Sequence, residues 1–208
     1  MAKQDAMMMG AGWIGSLTSK LSKALRKKGV SYEQIHELVK DGEAQDALVE
    51  KIAGVLVEVM QLAKDAFRVT VDYSTTLEQM IAAGRYDWKN QDINQKNFPI
   101  PPSKCGKKEE VAIELKHFNR TMESEEVLRE LDKDGFRPAN VFELQAFAER
   151  YPEKQREFPI VALGSVWRGW RGRRCVACLY GGSVGRDLRL DYFDSGWGSD
   201  CRFAAVRK

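Results

Sequence analysis

The chain has few of the residues that do acid–base and metal chemistry at neutral pH. It holds two histidines, His36 and His117, far apart in sequence. Most general-base schemes would therefore need a carboxylate. No Gly-x-x-x-x-Gly-Lys-Ser/Thr phosphate loop and no His-rich metal motif is present. Only four cysteines occur, Cys105, Cys175, Cys178 and Cys201. Cys175 and Cys178 have a zinc-like spacing, but no second pair follows. On a strand, residues three apart also point to opposite faces, which is poor ligand geometry. No metal or other cofactor is expected, and reduced thiols are the default. Long apolar runs are missing as well. Nothing approaches the roughly 18 to 20 continuous apolar residues of a membrane span. The start, Met1-Ala-Lys-Gln-Asp-Ala-Met-Met-Met, lacks a long apolar stretch after its lysine, so an unexported, cytoplasmic protein is expected.

The most local absence lies near the end. Between Cys175 and Val206 there is no Lys, Glu, Gln or Met, although all four are common upstream. Every charge there is Arg or Asp. Turn-rich β structure favours Gly, Ser and Asp, but does not explain why each basic residue is Arg. The net charge of +3 is also uneven: Ser165–Lys208 carries nine Arg/Lys and four Asp/Glu, hence +5, leaving −2 for the rest. The structural reading is arginines covering a solvated sheet face. The functional one is a patch for a polyanion.

Of what is present, helical periodicity dominates residues 11–66. Trp13, Leu17, Leu21 and Leu25 recur every fourth residue and form one apolar stripe, which Gly29 stops. Ser31 with Gln34 resembles a capping box opening a helix with Ile35 and Leu38. A break near Asp41-Gly42 precedes Leu48, Ile52, Val55, Val59 and Leu62. This region reads as a helical hairpin or three-helix unit for packing or oligomerisation, and its third helix lacks the basic periodicity of a helix-turn-helix reader.

After Asp65 the chemistry changes. Phe67–Tyr73 alternates as a strand, Thr75 with Glu78 caps a short helix ending at Gly84, and Tyr86–Pro102 is a turn-rich loop. Val111–Phe118 is a strand, Ser124–Leu131 a helix closed near Gly135, and Asn140 with Glu143 opens another ending before Pro152. Four strands follow: Pro159–Trp167, Arg174–Tyr180, Arg186–Phe193 and Arg202–Arg207. Short Gly-rich turns favour antiparallel pairing. The class is α+β, with a helical region 1–66 and a second domain 67–208.

In Arg186–Phe193, Leu188 and Leu190 share one face, and Asp187, Arg189 and Asp191 share the other. The leucines suit a core and the charged set must face outward. Ser195, Gly198, Ser199 and Asp200 then surround Trp197, giving adaptable polar groups and a few aromatics above a sheet, as in loop-built paratopes.

Three segments carry a resemblance: Phe136-Arg-Pro-Ala-Asn-Val-Phe-Glu-Leu, Phe158-Pro-Ile-Val-Ala-Leu-Gly-Ser165, and the ending from Trp197 through Arg202-Phe-Ala-Ala-Val-Arg-Lys208. Over residues 67–208 the chain resembles the variable proteins of diversity-generating retroelements, which carry a C-type-lectin-like fold. The match is specific at the end of the chain and looser before Phe136. The resemblance implies a ligand-binding protein in which adenines of a template copy, mainly in Asn codons, are rewritten. It would put template Asn at Asp187, Arg189, Asp191, Tyr192, Ser195, Gly198, Ser199 and Asp200. Each of these types is reachable by changing the two adenines of an Asn codon. Lys, Glu, Gln, Met and Trp are not, and Trp197 would stay fixed. The implied variable region is about 166–202, and its ligand-binding set also takes in Trp170, Tyr180 and Cys201. The expected partner is a macromolecular ligand, a protein.

Two rivals come from other classes. Trp167-Arg-Gly-Trp-Arg-Gly-Arg-Arg174 interleaves arginine with tryptophan, which suits stacking on bases and neutralising phosphates. Its structural reading is a basic hairpin at the rim of the binding face. Arg137-Pro-Ala-Asn-Val-Phe-Glu-Leu also loosely resembles a segment of formylglycine-generating enzymes. That segment is structural, and Cys175, Cys178 and Cys201 do not reproduce the redox arrangement, so no catalytic residue is assigned and an enzyme is not expected.

Overall fold

The structure is a computed structural model. It describes residues 19–31, 33–34, 36, 40, 42, 46–55 and 66–208, with only the backbone of Trp170. The chain divides into two compact units, Met1–Gln61 and Leu62–Lys208.

In the first unit, residues 19–27 and 46–55 are helical. Gly29 ends the earlier segment at φ 82°, and the Val30 N–H donates to the Leu25 carbonyl at 3.1 Å. That left-handed stop suits glycine, which has no Cβ to clash. Ser31 and Gln34 form the anticipated reciprocal cap, at 2.8 and 3.2 Å. Lys40 and Gly42 are helical, at the place where a break was expected. Leu48, Ile52 and Val55 lie in helix, while Trp13, Leu17, Ile35, Leu38, Val59 and Leu62 lie outside the described residues.

The second unit is mixed α and β around an open eight-stranded sheet. In chain order its elements are β1 (Phe67–Asp72), α1 (Leu77–Ala83), β2 (Trp88–Lys89), β3 (Lys108–Lys116), α2 (Ser124–Lys133), β4 (Phe136–Pro138), α3 (Val141–Arg150), α4 (Lys154–Glu157), β5 (Ile160–Arg168), β6 (Arg174–Gly181), β7 (Arg186–Tyr192) and β8 (Arg202–Arg207). The sheet order is β1-β3-β8-β5-β6-β7-β2, with β4 added to β8. As expected, β5–β6 and β6–β7 are antiparallel. β8 departs from that expectation and runs parallel to β5 at Ile160–Arg202 and Val161–Phe203. It follows a long connection rather than a tight turn, and so can enter between β3 and β5 in either direction.

Both faces of the sheet are covered, by different helices. Alternating residues such as Val71, Ile113, Ala204, Ala177, Leu179 and Leu188 join a core with Leu77 and Ile81 of α1 and Phe142 and Phe147 of α3. Phe203, Val161, Val176 and Cys178 join a second core with Val127 and Leu131 of α2. Period-2 alternation in strands and period-3.6 stripes in helices make this three-layer packing available.

Two local locks set the helix positions. α1 is capped by Thr76 and Gln79, at 3.3 and 2.9 Å, not by Thr75 and Glu78. The Thr75 hydroxyl donates to the Asp72 carbonyl, and Glu78 accepts from the Gln95 N–H. The Asn140–Glu143 box at α3 is as anticipated, at 2.9 and 2.8 Å. Arg137 adds two donors to the same carboxylate, at 2.9 and 2.7 Å, and Glu143 is 0% exposed. At the other side of this joint, Gly164 donates to the Ala139 carbonyl at 2.9 Å, and a Cβ there would lie 2.5 Å from that oxygen. Only glycine allows the approach. Replacing Glu143 by Ala leaves Arg137 and a helix cap without their acceptor. It should lower unfolding stability by about 3 kcal/mol or more, read from urea denaturation. A loss of under about 1 kcal/mol, the scale of one ordinary hydrogen bond, would show that the lock is dispensable.

Candidate functional site

β7 separates its side chains as the alternation requires. Leu188 is 0% exposed and Leu190 is half-buried against the α1–α3 core. On the opposite face Arg189 is exposed, and Asp187 and Asp191 are half-buried. α2 covers the β8, β5 and β6 part of that face, leaving the β6–β7 end open. There the Tyr180 hydroxyl donates to Asp191 Oδ2 at 2.7 Å. Arg189 donates from Nε and Nη2 to Asp187 Oδ2, at 3.1 and 2.5 Å, with its guanidinium 5.1 Å from the Tyr180 ring centroid. The Arg173 guanidinium lies 4.8 Å from the ring of Tyr192, which is 49% exposed. The result is a mixed-sign patch around Tyr180, held by its own pairings over a packed sheet; Tyr192, expected in the same set, shares the parity of Leu188 and Leu190 and falls on the other face.

The connection from β7 to β8 is pinned at its middle. Trp197 is buried and donates from Nε1 to Ser124 Oγ at 2.7 Å, and that hydroxyl donates to the Phe193 carbonyl at 2.6 Å. Backbone bonds between Met122 and Trp197 complete the anchor. A His117 ring nitrogen donates to the Ser199 carbonyl at 2.8 Å. Around the anchor, Ser195, Gly198, Ser199 and Asp200 are exposed.

Two expectations need correction. Cys201 is not on the surface: it precedes β8 on the α2 side and packs with Trp197 and Phe203, as a small apolar group does. Nor do the tail arginines all cover a solvated face. Arg186 is 6% exposed, because its position on β7 shares parity with Leu188. Its guanidinium donates to the Gly84 and Ala148 carbonyls and to Gln155 Oε1, at 2.8, 3.1 and 3.0 Å. The backbone of Trp170 lies in the β5–β6 turn, beside Arg171 (φ 64°) and Gly172 (φ 72°), and its side chain lies outside what is described.

The edge of this patch carries a further aromatic from outside the last strands. Trp88, 51% exposed, pairs through β2 with Asp187, and with Asn90, Asp187, Arg189 and Leu190 it lines a shallow cleft of about 480 Å³. A tryptophan amid the polar run Tyr86-Asp-Trp-Lys-Asn was the available signal.

The Arg/Trp segment is partly committed elsewhere. Trp167 packs half-buried, 6.5 Å from Phe98, and Arg174 is tied to Glu125 and Asp194. Cys175, Cys178 and Cys201 have thiols pushed upward by burial, the opposite of an activated thiolate. A Gly-x-Ser-x-Gly nucleophile-elbow spacing, which the chain was expected to lack, is in fact present at Gly181-Gly182-Ser183-Val184-Gly185. It forms a strand-to-strand turn, not the strand-to-helix turn that exposes such a serine. Among the described residues no helix is long and apolar enough to cross a membrane. Comparison with protein families, curated proteins and solved structures gives no match.

Burial, reinforced by the hydrogen bond to Asp191, raises the Tyr180 hydroxyl far above its ordinary value. The folded state thus keeps a proton that the unfolded chain releases near pH 10, so stability falls as pH rises above about 10. In an absorbance titration of the folded protein Tyr180 should remain unionised beyond about pH 11, and Asp191→Asn should bring its ionisation earlier. Ordinary titration of Tyr180 in the parent protein would dissolve the Tyr180–Asp191 pairing.

Proposed function

We propose that the protein is a ligand-binding module of the kind formed by diversity-generating retroelement variable proteins. Its second unit would serve as a C-type-lectin-like scaffold, and the open β6–β7 face with the Trp197-pinned connection would be the diversified surface. The observation that carries the reading is the division of labour along β7. Arg186 and Leu188 build the interior, while Asp187, Arg189 and Asp191 meet solvent and one another. A surface whose residues vary needs that separation, because changes at the outward set must leave the core intact.

The partner is read as a protein. A polyanion would meet Asp187 and Asp191 on either side of Arg189, and Arg174 already has two carboxylates. Tyr180 and Arg189 are the residue types that anchor protein interfaces, and Trp88 extends the patch with a fixed aromatic. The cytoplasmic location and the absence of catalysis belong to the same proposal.

A joint change of Asp187 and Arg189 to Ser should shift stability by no more than about 0.5 kcal/mol. Asp191→Ala should cost about 1 kcal/mol, since the Tyr180 hydroxyl loses its acceptor. A library randomised at Asp187, Arg189, Asp191, Tyr192, Ser195, Gly198, Ser199 and Asp200 should stay folded and yield binders to unrelated proteins. General unfolding of that library would refute the reading, as would selection of nucleic-acid binders alone. The neighbouring DNA offers a check without protein: a near-repeat of the last segment, differing at adenines, beside a reverse transcriptase.

A further inference from the structure

The helix at residues 19–27 has a pattern of charge and exposure that ligand binding does not use. Between Ala6 and Tyr32 the sequence has no Asp or Glu and five cations, Lys20, Lys23, Arg26, Lys27 and Lys28. At roughly 100° per residue, Leu21 and Leu25 lie about 40° apart, and Lys20, Lys23, Arg26 and Lys27 lie about 120° or more from their midline. Leu21 is 46% exposed and Leu25 half-buried. In the sequence, Trp13 and Leu17 continue the same four-residue spacing. Arg26, Lys27 and Lys28 suit the negative end of the helix, but Lys20 and Lys23 stand before the last turn, so the dipole does not account for them.

We propose that this segment docks on an anionic phospholipid surface, lying in the interfacial plane with its leucines among the acyl chains and its lysines at the headgroups. Charge selects this occupant over others. A second copy on the same face would set one five-cation segment beside another, and repulsion would oppose the leucine contact. A nucleic acid would satisfy the cations and leave Leu21 in water. An anionic bilayer satisfies both sides of the helix at once, and because every charged residue between Ala6 and Tyr32 is basic, the segment has no carboxylate that such a surface would repel.

The test is co-sedimentation of the full chain with vesicles of phosphatidylcholine alone or with about a third phosphatidylglycerol, an anionic surface of the kind polybasic segments recognise. Binding is expected only to the anionic vesicles, and should be lost as salt rises from about 0.1 M to about 1 M. Each cation near the surface contributes about fivefold, so the joint change Lys20→Gln and Lys23→Gln should weaken binding roughly 25-fold. Leu21→Glu should abolish it while the melting of the second unit is unchanged. Equal binding to both vesicle types, no binding to either, or insensitivity to Leu21→Glu would overturn the proposal. So would self-association without vesicles that Leu21→Glu removes, which assigns the face to a second copy. Retention on single-stranded DNA that Leu21→Glu leaves intact, without vesicle binding, would assign the cations to a polyanion instead.

Discussion

A buried guanidinium at the start of β7 organises the second unit. Among the described residues no carboxylate pairs with the Arg186 guanidinium; its compensation comes from carbonyls at the C-terminal ends of two helices and from the Gln155 side chain. Those helix ends carry partial negative charge, which makes them suitable partners for a desolvated cation. Gln155 in turn donates to the carbonyls of Tyr180 and Asp187, so the same cluster ties α4 to both strands of the β6–β7 pair. Because side chains alternate strictly along a strand, burying Arg186 determines the facing of every residue after it. A slip of one position would expose Arg186 and Leu188 and bury Asp187 and Arg189 together.

The candidate surface follows from that parity and from where α2 stops. α2 covers β8, β5 and β6, and its N-terminal Ser124 holds Trp197 and the Phe193 carbonyl. Beyond it the sheet face is open, and Tyr180, Asp187, Arg189 and Asp191 occupy it in paired contacts. These pairs keep the side chains in place while leaving them accessible. The interior beneath them is apolar and packed from the other side, so the surface groups do not hold the sheet together.

Much of this was legible in the chain. The alternation of Leu188 and Leu190 against Asp187, Arg189 and Asp191 is a local pattern, as are the Asn140–Glu143 cap and the glycine stop at Gly29. Other features depend on contacts distant in sequence. Strands of two and three residues, β2 and β4, are too short to show a period, so Trp88 was read as part of a loop. Thr75 and Thr76 both offer a hydroxyl, and only the neighbouring Asp72 carbonyl and Gln79 decide which caps α1. Arg186 looked like a surface charge because nothing adjacent announces the carbonyls of Gly84 and Ala148. Cys201 was counted with its exposed neighbours, although its thiol falls on the side already claimed by Trp197 and Phe203.

The anchor at Trp197 has an entropic consequence. A tether at the midpoint turns one long excursion between β7 and β8 into two short arcs, and short arcs sample few shapes. Were a ligand to dock there, it would meet side chains whose backbone is already confined, and less freedom would be surrendered on association. The same tether isolates the two arcs from each other: a substitution at Ser195 changes the first without loosening Ser199 or Asp200 in the second.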